Sequence, residues 1–105
     1  MVIYNYMLDF AAIDGFDWHA GNRDKNLQKH GVSATEFEQV FFNLPNLGQP
    51  DPVHSQTEAR YFSLGQTDAG RYLFIVFTLR SDKIRVISAH DMSRKETEIY
   101  DKANP

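Results

Sequence analysis

The sequence predicts an α+β fold in which two helices precede an antiparallel sheet of three or four strands and one helix follows it. Three observations carry that expectation. Phe37, Val40, Phe41 and Leu44 stand at i, i+3, i+4 and i+7, the spacing of one apolar helical stripe. From Arg60 onward the period drops to two, and short turn segments separate the runs, so successive strands reverse direction. Ser93 with Glu96 three residues later then marks the start of another helix. Helices gathered on one side of the sheet complete the expected architecture.

Taken in order, residues 1–15 (MVIYNYMLDFAAIDG) are partly apolar but interrupted by Asn5 and Asp9, with no basic leader. They suit neither a spanning helix nor a signal peptide. They read as a strand or as an N-terminal extension outside the core of a single domain covering residues 1–105. Phe16-Asp17-Trp18 alternates, as a short strand or a staple ahead of a helix would, and Trp18 is assigned to the core. Residues 19–30 are polar and helix-compatible, with Gly31 placed as the C-terminal cap. Ser33 and Glu36 form a capping box for the second helix, which stops before Pro45 because proline disfavours helical geometry in its predecessor. Residues 45–52 contain Pro45, Pro50 and Pro52 and read as irregular or edge structure.

Arg60, Phe62 and Leu64 share one strand face, and Tyr61 and Ser63 the other. Asp68-Ala69-Gly70 makes a hairpin turn. Residues 72–79 are almost wholly apolar, which predicts a central strand covered on both faces. Residues 81–83 turn the chain again and residues 84–90 run back. The last helix has Ile99 and Tyr100 as its few apolar anchors.

At 105 residues and 12.1 kDa there is room for one domain. A net charge of −3 and a pI near 5.7 argue against a broad nucleic-acid-coating surface, yet leave room for a concentrated basic site. The chain has no cysteine, so disulfides, thiolate metal sites and cysteine nucleophiles are excluded. That absence fits a reducing compartment, and the chain reads as soluble and cytoplasmic.

The residues that carry chemistry cluster between Asp51 and Tyr100. His54, Glu58, Arg60, Arg80, Arg85 and His90 fall at or near strand ends. Proton-transfer groups beside guanidiniums suit a phosphodiester, since a carboxylate or imidazole moves protons while arginine forks hold phosphate oxygens. Arg80 and Arg85 flank one tight hairpin and would repel each other unless an anion sat between them. That anion is an RNA phosphate, a glutamate such as Glu58 or Glu96, or a partner's carboxylate.

Each group also has a plainer reading. His54 shapes a proline-flanked loop, and Glu58 orients Arg60 or Arg85. His30 complements the helix dipole, or joins Lys29 in peripheral RNA contacts. Tyr100 stacks on a base or packs in the core. His90 is an alternative acid or base. Asp51, His54, Glu58 and His90 lack a compact ligand motif, and neither a glycine-rich phosphate loop nor a serine-nucleophile elbow occurs. No metal or cofactor is therefore expected.

The chain resembles the BrnT family, the toxin half of a bacterial type II toxin–antitoxin pair. The resemblance runs from residue 16 to about residue 102 and rests on an ordered set of segments. These are FDW at residues 16–18, NLQKHGVS at 26–33, EFEQVFFN at 36–43, DPVHSQTEARYFSLG at 51–65, IRVISAHDMSRKE at 84–96, and Tyr100. It implies a RelE-like fold, a ribonuclease that arrests translation, and neutralisation by a BrnA-like ribbon-helix-helix antitoxin. Operator DNA would be reached only through that antitoxin, and two toxins would flank an antitoxin dimer. Many relatives carry arginine where this chain has His90.

The expected mechanism is metal-independent RNA cleavage, with no membrane involved. Glu58 or His54 takes the 2′-hydroxyl proton, Arg80 and Arg85 stabilise the pentacoordinate phosphorus, and His90 or His54 protonates the leaving oxygen. Arg60, Tyr100 and Lys29 bind the substrate. A second reading, favoured by the acidic net charge and by His90, is a catalytically weak module that represses its operon together with a DNA-binding antitoxin.

Overall fold

A computed structural model describes residues 15–18, 20–51 and 58–103. Helix α1 (Ala20–His30) and helix α2 (Ala34–Phe42) lead into strands β1 (Leu47–Pro50), β2 (Arg60–Gln66), β3 (Tyr72–Arg80) and β4 (Lys83–Asp91), and helix α3 (Arg94–Ala103) follows. The strands form one sheet in the order β1-β2-β3-β4, each neighbour antiparallel, so the expected α+β arrangement is the one observed. No described helix is long and apolar enough to cross a membrane. Residues 1–14 of the expected N-terminal extension lie outside the described residues.

Local chemistry sets the helix starts. The Ser33 side chain accepts from the Glu36 amide at 3.2 Å, and the Glu36 carboxylate accepts from the Ser33 amide at 3.0 Å. Ser93 and Glu96 repeat this reciprocal pair at the start of α3, at 3.2 and 2.8 Å. Both satisfy amides that a helix leaves without an internal partner. At its other end α2 stops sooner than the apolar stripe suggests. Asn43 is the C-cap, and Leu44 lies beyond the helix with 72% of its surface exposed. The expectation that Leu44 packs with Phe37, Val40 and Phe41 is corrected, because the residue before a proline leaves helical geometry.

The nearly continuous apolar run of β3 is explained by cover on both faces. Leu73, Ile75 and Phe77 join Ile84, Val86 and Ala89 of β4 under Val32, Phe37, Val40 and Phe41. Gly65 allows this approach: a Cβ there would lie 2.7 Å from a methyl of Val40. On the opposite face Tyr100 of α3 packs with Leu47 and Leu64, against Tyr72 and Phe74. The expectation of helices on one side is thereby corrected. Leu64, Tyr72 and Phe74 make the second face apolar too, and α3 buries it.

Two further features frame the site. Phe16-Asp17-Trp18 makes one parallel bridge with Ile84 rather than a strand. The Asp17 amide donates to the Ile84 carbonyl at 2.8 Å, and the Ile84 amide donates to the Gly15 carbonyl at 2.9 Å. Trp18 packs against the larger core half-buried, its Nε1 donating to Glu38 at 2.9 Å. The β3–β4 hairpin turns through Ser81 and Asp82, both at positive φ (50° and 64°), which is the handedness a two-residue hairpin requires.

Candidate active site

Strand pairing assembles the site. Arg60 of β2 and Arg85 of β4 both stand opposite Thr78 of β3, so three strands present one row of side chains. Thr78 is 1% exposed and its hydroxyl donates to the Ala59 carbonyl at 2.7 Å, which ties down the chain next to Glu58. Arg80 lies two residues along β3 from Thr78, on the same face. Glu58, Arg60, Arg80 and Arg85 line one concavity of about 220 Å³, with Asn22 and Lys25 of α1 closing its side.

Among the described lining residues, Lys25, Arg60, Arg80 and Arg85 surround the carboxylate of Glu58. Arg80 Nε lies 3.3 Å from Glu58 Oε2, with 49% of the arginine side chain exposed. Arg85 Nη1 lies 4.0 Å from Asp17 Oδ2. These are loose, solvent-screened pairs that an incoming dianionic or monoanionic group displaces at little cost. The glutamates expected near the arginines divide: Glu58 serves Arg80, whereas Glu96 turns to His90. Lys25 has no carboxylate within ion-pair distance among the described residues.

Three sequence-derived candidates stand elsewhere. His90 pairs with Phe74, four β3 residues from the Thr78 row, which is roughly 13 Å along the strand. Its Nε2 is 3.2 Å from Glu96 Oε1, so His90 does not line the concavity. Tyr100 is corrected from a base-stacking residue to a core residue. It is fully buried, its hydroxyl donates to the Pro45 carbonyl at 2.8 Å, and burial pushes that hydroxyl's pKa up to about 12. Lys29 is exposed one helical turn beyond Lys25 and is not part of the lining. His54 lies outside the described residues. Among the described residues, no three His, Asp or Glu side chains converge as a metal site.

Sequence reading missed Asn22, Lys25 and Asp17. The available signal was the i, i+3, i+7 spacing of Asn22, Lys25 and Lys29, which puts them on one helical face.

With that geometry in hand, a family profile described as ribonuclease toxin, BrnT, of type II toxin–antitoxin system matches residues 18–96. The chain belongs to the BrnT family. A crystal structure of the Brucella abortus ribonuclease toxin BrnT superposes with a TM-score of 0.52 at 20% identity, covering 76% of this chain and 97% of that one. At that identity the likeness speaks for the fold. No curated protein sequence matches the chain significantly. BrnT proteins are ribonuclease toxins of type II pairs, so an RNA target and an antitoxin partner come with membership.

Proposed function

We propose that this BrnT protein cleaves RNA by metal-independent attack of the 2′-hydroxyl, and that the concavity between α1 and the β2–β4 strand ends is where it does so. The supporting observation is the convergence of Lys25, Arg60, Arg80 and Arg85 on one hollow that also holds Glu58. Four converging cations supply the positive charge that a metal would otherwise bring, and they repel a metal ion from the same place.

In this reading the scissile phosphate takes the position between Arg80 and Arg85. Arg80 passes from Glu58 to a phosphate oxygen, which frees Glu58 to accept the 2′-hydroxyl proton. The 2′-oxygen bonds to phosphorus, the bond to the 5′-oxygen breaks, and the departing oxygen takes a proton from His54 or water. The product ends are a 2′,3′-cyclic phosphate and a 5′-hydroxyl. Arg85 and Arg60 hold the charge that builds on the equatorial oxygens, and Lys25 holds the neighbouring backbone. The protein acts in the cytoplasm, arresting translation and growth until a BrnA-like ribbon-helix-helix antitoxin neutralises it. Operator DNA is reached only through that partner.

Expression in bacteria tests the reading. Arg80→Ala and Arg85→Ala should each relieve growth arrest while the purified variants keep the wild-type circular dichroism. Loss of one such donor costs on the order of 10²–10³ in rate. Full toxicity in both variants would remove the mechanism. The carboxylates already beside Arg80 and Arg85 favour a second reading, a weakly catalytic module for operon repression with its antitoxin. RNA left intact by the purified protein would select it.

A further inference from the structure

The sheet face that carries the concavity also carries α3, and the two divide it unevenly. Strand register places Leu47, Leu64, Phe74 and His90 in one row across all four strands, and Arg60, Thr78 and Arg85 in another. Tyr100 of α3 covers the Leu47–Leu64 end of the first row. Phe74 and His90, the β3 and β4 members of that row, present flat rings, and Phe62 of the next row on β2 adds a third. Phe62 and Phe74 stack at 5.3 Å and 20°, and Phe74 and His90 at 4.6 Å and 15°. Three nearly parallel planes therefore form a column that ends at the outer strand of the sheet.

Its last member is open. The His90 side chain is 56% exposed, and among the described residues no ring stacks on its outer side. The ring is nonetheless held in orientation. Glu96 Oε1 lies 3.2 Å from His90 Nε2 and also accepts the Ser93 amide at 2.8 Å, so the α3 capping box fixes the imidazole. An exposed plane with an immobilised edge and an aromatic backing is a surface on which a base stacks at low entropic cost.

We propose that the outer face of the His90 ring is a nucleobase-stacking subsite for single-stranded RNA whose scissile phosphate lies in the arginine concavity. The proposal rests on the nuclease reading of that concavity. It gives His90 a task its position allows. A general acid must reach the leaving oxygen within hydrogen-bond distance, and the separation along β3, roughly 13 Å, prevents that for a phosphate beside Thr78. A short run of RNA bridges the same distance. Stacking tolerates any base, because every base has a π-face.

The test uses the wild-type protein and a single-stranded all-2′-O-methyl oligonucleotide, which cannot be cleaved, with 2-aminopurine placed at each position in turn. Quenching at one position near the phosphate seat is expected. His90→Ala should abolish it and weaken binding by about 5- to 150-fold, whereas His90→Phe should restore both. On cleavable RNA the His90→Ala loss should fall on KM rather than kcat. The subsite is overturned if His90→Ala quenches as the wild type does, if His90→Phe is as impaired as His90→Ala, or if the loss falls on kcat alone. Cleavage is scored separately: cleavage without quenching rejects the subsite only, and quenching without cleavage rejects the nuclease reading only.

Discussion

Arg71 donates to the Gly31 carbonyl at 2.9 Å, to Glu36 at 3.1 Å and to Asp91 at 2.8 Å, so one guanidinium joins the end of α1, the start of α2 and the end of β4. Two of these, α1 and β4, line the concavity, and β4 also carries His90. The Glu36 pKa is lowered, first by the Ser33 amide and then by Arg71, and the Asp91 pKa is lowered first by its hydrogen bond from Arg71. Both carboxylates are more acidic folded than unfolded. Their contribution is therefore complete above the unfolded values of 4.5 and 3.8 and is lost as pH falls through the lower folded values. Arg71→Met should lower the urea midpoint near neutrality and flatten the acid limb of stability against pH. An acid limb identical to the wild type would show that the guanidinium contributes nothing to it.

Among the elements, α2 and β2 meet most closely at Gly65, where an added methyl would press on Val40 at 2.7 Å and on its carbonyl at 3.3 Å. Gly65→Ala is expected to destabilise the protein by about 1–3 kcal/mol, read as a lower denaturation midpoint with unchanged helix content. A neutral result would mean that α2 sits further from the sheet. How far these elements were legible in the sequence follows from what specifies each. Ser33–Glu36 and Ser93–Glu96 are local pairs, so the starts of α2 and α3 could be read directly. Strand alternation placed Arg60, Arg80 and Arg85 near each other because a hairpin is also local. The side of the sheet taken by α3 was not legible, since Tyr100 reaches Pro45 across 55 positions of sequence. Neither was the part played by Lys25, since a polar helix shows which face holds its charges but not what that face meets. Tyr100 stayed open between base stacking and packing for a related reason: in sequence, a core tyrosine on a polar helix looks the same as one that meets a base.

For the molecule as a whole, a net charge of −3 coexists with four cations around one hollow, because acids are spread elsewhere while Lys25, Arg60, Arg80 and Arg85 converge. Such focusing makes binding of a polyanion depend on salt despite the acidic total. Lys25→Ala should weaken binding of non-cleavable RNA to a similar extent for different sequences, and should reduce the slope of log K against log salt by about 1. An unchanged slope would take Lys25 out of the phosphate path. The central claim is that these cations, without a metal, carry the cleavage of RNA. Its most direct test incubates purified protein with end-labelled RNA in excess chelator and analyses the new termini. The account predicts 2′,3′-cyclic phosphate and 5′-hydroxyl ends from the wild type, and none from Arg80→Ala or Arg85→Ala. Cleavage that stops on chelation, or that persists at the wild-type rate in both variants, would contradict it.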